Sequence, residues 1–362
     1  MQVFERVNGD AHAHEQIVFC NDRSSGLRAI VAIHSTKLGP SLGGTRFYPY
    51  PDEDAALEDV LRLSKGMTYK SAAAGLDLGG GKAVVIGDPA TVKTEALLRA
   101  YGRFVDGLGG RYITAEDVGT TQPDMDIIRR ETRHVTGVSR SLGGSGDPSE
   151  ATAYGVLHAM KATARHLWGE ASLAGRHVTI TGVGKVGYAL GRHLVEERAH
   201  VTVADVNESA VERAAKDFGA EPTDVDKSHA TDCDIWSPCA LGGALNRATI
   251  PELRCTAVVG AANNQLADPG CVDLLAEAGV LYAPDYIVNA GGVINVSEEL
   301  RGYHRERAYG QVRRIFDTLA AVLQTAVAEG ISTAEAADRV AERRIEQLSQ
   351  VQLLRTSRGD SA

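Results

Sequence analysis

The chain has 362 residues, 43% of them hydrophobic and 23% charged, with a formal net charge of −9 and a pI near 5.7. This length exceeds one ordinary core, so two globular domains are expected, and the composition argues against disorder over most of the chain. The acidic balance, with no Lys/Arg-rich run, argues against nucleic acid as a partner.

The N-terminus, MQVFERVNGDAHAHEQ, carries charges where a signal peptide needs an apolar centre. No apolar run approaches the roughly 20 residues of a membrane span. A cytoplasmic protein without a membrane partner is expected. Five scattered cysteines (Cys20, Cys233, Cys239, Cys255, Cys271) form no C-x-x-C pair, and the histidines show no ligand spacing. Free thiols and no metal are therefore expected.

In chain order, QIVFC (16–20) and LRAIVAIH (27–34), separated by the turn-rich NDRSSG, predict a hairpin. Pro51-Asp-Glu-Asp opens a helical pattern with Ala56, Leu57, Val60, Leu61 and Leu63 apolar and acids at its N-terminal end. A short buried strand is expected over 83–86, a helix over 92–108 and a strand over 112–118. A run of small turn residues near Gly143–Pro148 marks a domain boundary, giving domains of 1–143 and 144–333. Past it, a helix over 151–168 precedes strand (177–182), helix (186–198), strand (200–206), helix (208–218), then the strand-like CDIWSP and AVVGAA. That alternation predicts an α/β fold with a parallel, doubly wound sheet in the second domain. Helices are expected over 297–323 and 334–348. The closing segment 334–362 should pack back on the first domain before a disordered tail, RTSRGDSA.

Two stretches carry chemistry. In LDLGGGK (76–82), three glycines precede Lys82. A phosphate loop needs glycine at position 76 and Ser or Thr at 83, where Leu76 and Ala83 stand, so that reading fails. The glycines are instead expected to let backbone and substrate crowd around Lys82. Lys70, in GMTYK, lies twelve residues upstream; from spacing alone the two lysines fit a solvated surface as well as a site.

Gly182-Val183-Gly184-Lys185-Val186-Gly187 is more specific, following a strand, opening a helix and meeting Asp205 at the end of the next strand. Gly182 permits the tight turn, Gly184 lets a pyrophosphate approach the backbone, and Gly187 lets the helix pack on the sheet. Amide donors at the helix N-terminus face the phosphates. Asp205 would accept from the ribose hydroxyls and repel a 2′-phosphate, and ADVNES has no arginine beside it. NAD is expected rather than NADP.

The blocks LGPSLGGTRFYPY, GMTYKSAAAGLDLGGGK, GRYITAEDVGTT, GVGKVG, PCALGGALN, GAANNQL and APDYIVNAGGVINV run nearly the whole length of the chain. In them the sequence resembles the dehydrogenases of glutamate, leucine, phenylalanine and valine, most closely the leucine and valine members. The resemblance implies a substrate domain and a Rossmann-type NAD domain with the active site in the cleft between them. It also implies oxidative deamination of an L-amino acid to a 2-oxo acid and ammonium, with hydride passing to NAD, and a homo-oligomer, dimer or octamer.

By the same match Lys70, helped by the backbone of Gly43 and Gly44, is implied to bind the substrate carboxylate. Lys82 is implied to be the catalytic amine, and Asp117 its proton-transfer partner. Thr152, Ala240, Asn263, Asn264 and Asn289 are implied to lie on the cofactor side. Leu42, Ala115, Val293 and Val296 stand at the pocket positions; all are apolar, which disfavours glutamate and suits a branched aliphatic substrate. A phenylalanine or broad-range dehydrogenase and a non-catalytic NAD sensor are the alternatives. Lys82, with an ordinary pKa of about 10.4, needs a lowered one to act as a base near neutrality. Burial beside a second cation, expected to be Lys70, would supply that.

Overall fold

The computed structural model describes residues 13–349; the polar tail expected to be disordered lies outside them. Strands β1 (Gln16–Asp22), β2 (Leu27–Ser35), β3 (Ser41–Tyr48), β4 (Gly79–Ile86) and β5 (Tyr112–Glu116) form a mixed sheet in the order β1-β2-β4-β3-β5. β1 and β2 make the expected hairpin, from Gln16↔Ile33 to Asp22↔Leu27. Side chains alternate across this sheet. Ile30, Ala32 and Val84 meet Ala56, Leu57, Val60 and Leu61 of helix α1 (Glu53–Ala73) on one face. Val31, Ile33, Phe47, Ala83 and Val85 pack on the other, against α2 (Glu95–Gly107) and α3 (Gln122–Arg129). The same alternation turns Lys82, two residues before Val84, and Arg46, next to Phe47, toward α1.

Helix α1 starts where expected, Asp52 accepting from Ala55 N at 2.7 Å. The helix expected over 92–108 is divided. Pro89–Val92 makes one turn, Lys93 is extended (φ −72°, ψ 118°), and α2 begins after the Thr94 cap.

β4 differs more. It begins at Gly79, four residues before the expected strand, although glycine is a poor strand former. Packing sets it: a Cβ at Gly80 would lie 2.0 Å from Thr68 N, and one at Gly79 1.9 Å from Ser35 O. Gly79 and Gly80 thus admit a neighbouring strand end and helix α1, the close backbone approach expected of them. With Thr68 against Gly80, Lys70 and Lys82 each follow two residues beyond that contact.

Helix α4 (Ser149–Trp168) leads into β6 (His177–Thr181), β7 (His200–Ala204), β8 (Glu221–Pro222), β9 (Cys233–Pro238), β10 (Cys255–Val258) and β11 (Leu281–Tyr282). These form a parallel sheet ordered β11-β10-β9-β6-β7-β8, with α5 (Lys185–Glu196), α6 (Glu208–Phe218) and α7 (Cys271–Glu277) among the connections. The winding reverses between β6 and β9, where such sheets bind ligands beyond the strand ends. The helix expected over 297–323 is broken into α8 (Gly291–Ser297), a 3₁₀ turn Glu298–Arg301, α9 (Arg305–Val312) and α10 (Ile315–Glu329). Gly302 at φ +76° ends the 3₁₀ turn.

The two sheets share one apolar cluster, which runs from Leu42, Ala72 and Ile113 through Val156 and Met160 of α4 to Ile180 and Leu190. The last helix, α11 (Thr333–Ser349), reaches across as well. Tyr69 Oη donates to Glu342 Oε1 at 2.9 Å, Arg344 Nη2 to Leu76 O at 3.2 Å and to Asp77 Oδ1 at 2.9 Å, and Tyr286 Oη to Asp338 Oδ1 at 2.8 Å. Glu299 ties down the connecting segment: Oε1 accepts from Ser145 N at 2.8 Å and Oε2 from Gly137 N at 2.9 Å. Among the described residues no single helix is long and apolar enough to cross a membrane.

Candidate active site

A cleft of about 600 Å³ is lined by Arg46, Lys70, Lys82 and Asp117 from the first half of the chain and by Asn263 and Asn264 from the second. Lys82 is only 6% exposed. Its Nζ lies 3.1 Å from Asp117 Oδ2, just past the end of β5. Lys70 reaches from α1 and donates to Asn263 Oδ1 at 3.3 Å, and Asn289 Nδ2 donates to the same oxygen at 2.8 Å.

The charges explain the proton affinities. Burial lowers the pKa of Lys82, Asp117 opposes this, and the second cation assisting burial is Arg46. Arg46 acts beside Lys70, the cation expected in this role, since the Lys70 and Lys82 ammonium groups disfavour each other's charge. Lys70 is itself pushed down to about 8 by burial, with Lys82 assisting and Asp285 and Asp117 opposing. Burial pushes the Asp117 carboxyl up, but Lys82 and Arg46 together pull it below its usual value. At neutral pH the cleft therefore holds an ionised Asp117 beside an amine that gives up its proton more readily than an exposed lysine.

Gly43 and Gly44 lie on β3, pressed between its neighbours. A Cβ at Gly43 would meet Gly81 O at 1.7 Å, and one at Gly44 would meet Asp117 Cβ at 2.9 Å. Leu42 is fully buried on the same strand, Ala115 pairs with Gly44, and Val293 and Val296 lie on α8. None of these four lines the cleft that holds the lysines. Arg46 was not anticipated. Strand alternation could have pointed to it, because it shares a face with Gly44, whose neighbour across the site is Asp117.

The glycine motif takes the form that dinucleotide binding needs. Gly182 has φ +102°, where only glycine is at ease, and abuts Ala240. A Cβ at Gly187 would meet Gly182 O at 1.9 Å, so helix α5 lies directly on the sheet. Gly184, the N-cap of α5, has open space at its Cβ position. Asp205 is oriented by two backbone donors, Val183 N at 2.6 Å and Asn207 N at 2.8 Å. Val183 is buried, Val186 packs at the core edge, and Lys185 pairs with Asp147 at 2.6 Å. Thr152 donates to Pro148 O at 3.0 Å and abuts Gly292. Asn264 holds φ +52°, a conformation that asparagine tolerates. Asn289 Oδ1 is buried without a partner. An open helix terminus, a fixed acid and an orphaned amide oxygen fit a dinucleotide.

Comparison with known proteins agrees with this geometry. Residues 14–134 match the Glu/Leu/Phe/Val dehydrogenase dimerisation domain, and residues 143–213 and 203–353 match the glutamate/leucine/phenylalanine/valine dehydrogenase family. The chain is 54% identical over 346 residues to a leucine dehydrogenase of Geobacillus stearothermophilus, covering 96% of this chain and 94% of that one. It is also 54% identical over 341 residues to a valine dehydrogenase of Streptomyces virginiae, covering 93% and 95%. The crystal structure of L-tryptophan dehydrogenase from Nostoc punctiforme superposes with a TM-score of 0.86 at 44% identity, over 96% of this chain and 100% of that one. Two domains matched in order and relatives aligned almost end to end make this chain a member of the Glu/Leu/Phe/Val dehydrogenase family of amino-acid dehydrogenases.

Proposed function

We propose that the protein oxidatively deaminates branched-chain L-amino acids (leucine, valine, isoleucine) to 2-oxo acids and ammonium, and runs the reverse reductive amination. NAD is the cofactor in this reading, held by residues 182–187 and Asp205; when bound, its nicotinamide accepts the α-hydrogen of the substrate. The observation that carries the reading is the buried Lys82–Asp117 pair facing Lys70 in one cleft, with Asn263 reaching Lys70 from the nucleotide side.

Lys70 receives the substrate carboxylate, beside the backbone of Gly43 and Gly44. Neutral Lys82 takes a proton from water as its oxygen adds to the oxidised α-carbon, and later returns one to the departing nitrogen. Asp117, in contact with the amine, exchanges that proton. Leu42, Ala115, Val293 and Val296, which stand outside the lining of the lysine cleft, are in this reading the apolar surroundings of the substrate side chain, and a buried side-chain carboxylate would find no partner among them. In this reading residues 1–143 with the closing helix bind the substrate, residues 144–333 bind NAD, and the chain works as a cytoplasmic homo-oligomer.

NAD reduction followed at 340 nm across the L-amino acids, with phenylalanine, tryptophan and glutamate included, is expected to peak with a branched aliphatic substrate. A maximum with an aromatic one would overturn the substrate assignment, and no signal with any would overturn the enzyme reading. Lys82→Ala is expected to abolish turnover while retaining NAD binding by calorimetry.

A further inference from the structure

Arg46 sits behind the reacting amine in a chain of alternating charge. From β3 its Nε donates to Asp117 Oδ2 at 3.0 Å and its Nη1 to Asp59 Oδ2 at 2.8 Å. Asp59, on α1, is held from two further sides, by Tyr50 Oη at 2.6 Å and by Arg62 Nη2 at 2.8 Å. Asp117 Oδ2 is also the atom that meets Lys82 Nζ. One carboxylate oxygen thus lies between two cations, and only the lysine can lose its proton near neutral pH.

This arrangement answers a difficulty that the Lys82–Asp117 pair would face alone. A buried carboxylate whose single cationic partner becomes neutral is left as an uncompensated charge, which is strongly unfavourable. The pair alone would therefore hold Lys82 protonated. With the guanidinium on the same oxygen, Asp117 keeps a full charge partner whichever form Lys82 takes. The clamp of Asp59 and Tyr50 keeps that guanidinium from following the proton.

We propose that Arg46, fixed by Asp59 and Tyr50, is a positioning residue for the amine chemistry at Lys82: it aims Asp117 and balances its charge, so that Lys82 can lose and regain a proton in place. The inference rests on the reading of Lys82 as the reacting amine. The charged and titratable groups facing that amine are Asp117 after β5, Arg46 on β3, and Asp59 and Lys70 on α1. Tyr50 and Arg62 stand behind Asp59, and Asp285 faces Lys70. Arg46 and Asp59 act on Lys82 in opposite senses, the first disfavouring and the second favouring its protonated form. Their removal must then move its titration in opposite directions, which a merely structural role would not do.

The experiment measures kcat and KM against pH for wild type, Arg46→Gln, Arg46→Lys and Asp59→Asn. In parallel, the pH dependence of Lys82 acetylation by acetic anhydride is read by mass spectrometry. Arg46→Gln is expected to move the Lys82 limb about one pH unit or more to the alkaline side. Turnover at pH 7 then falls about tenfold with little change in KM. Arg46→Lys, which keeps the charge, brings the limb back toward wild type, and Asp59→Asn moves it to the acid side. Arg46→Met, which removes the same charge on a stem of similar length, carries the test if Arg46→Gln does not fold. An unmoved limb, or equal losses of kcat at every pH, would overturn the proposal, as would an Arg46→Lys limb displaced as far as that of Arg46→Gln. The acetylation limb needs no turnover. A wild type inactive on every amino acid would therefore end the catalytic reading, while the acetylation shifts would still decide the role of Arg46.

Discussion

Lys70 holds an ammonium in a setting that disfavours it, its pKa pushed from 10.5 to about 8 chiefly by burial. The folded protein thus binds this proton less tightly than the unfolded chain does, and the penalty is fully present below pH 8. It disappears as the pH rises from about 8 toward 10.5, where the folded lysine is neutral and the unfolded one is still charged. Lys70→Met is therefore expected to raise the melting temperature at pH 7, with the gain shrinking across that window. The KM for the amino acid should rise about 10- to 100-fold, as befits a lost charge-assisted hydrogen bond. Melts at several pH values with parallel kinetics check both. At this scale Lys70, Lys82 and Asp117 were legible because each stands in an unusual block of sequence. Arg46 was not: its partners lie 13 and 71 positions away, and only the fold joins them.

Among the elements, the glycine motif that opens α5 invites a paired test, because its second and third glycines do different work. A Cβ at Gly187 would run into backbone oxygen, so Gly187→Ala must lift the helix and is expected to cost about 1–3 kcal/mol in stability. Gly184→Ala meets only open space and should melt within about 0.5 kcal/mol of wild type while binding NAD far more weakly. Thermal melts and NAD titrations separate the two. This motif, the hairpin and α6 were readable because local preference and tertiary demand agree there. β4 was not, since three glycines argue against a strand until helix α1 is seen resting on Gly80. Nor was the break between α8 and α10, where the helical pattern continues through a segment that Gly302 turns aside.

In the whole molecule, the two sheets were legible as a change of rhythm near residue 143, but what joins them was not. Glu299, far along the chain, holds both Gly137 and Ser145. Glu299→Ala leaves these backbone donors without their carboxylate, a loss of about 1–3 kcal/mol for each one left unsatisfied. Hydrogen exchange is expected to quicken across residues 137–147 while the protein stays folded.

The tie between Lys70 and Asn263 has a different bearing on the molecule. On the proposed reading, an arriving amino acid meets an ammonium already engaged through one of its three donors by an amide from the opposite wall, and its carboxylate takes the donors that remain. Lys70 then joins the substrate to the nucleotide side through a single ammonium, and the Asn263 oxygen it holds stays fixed from behind by Asn289.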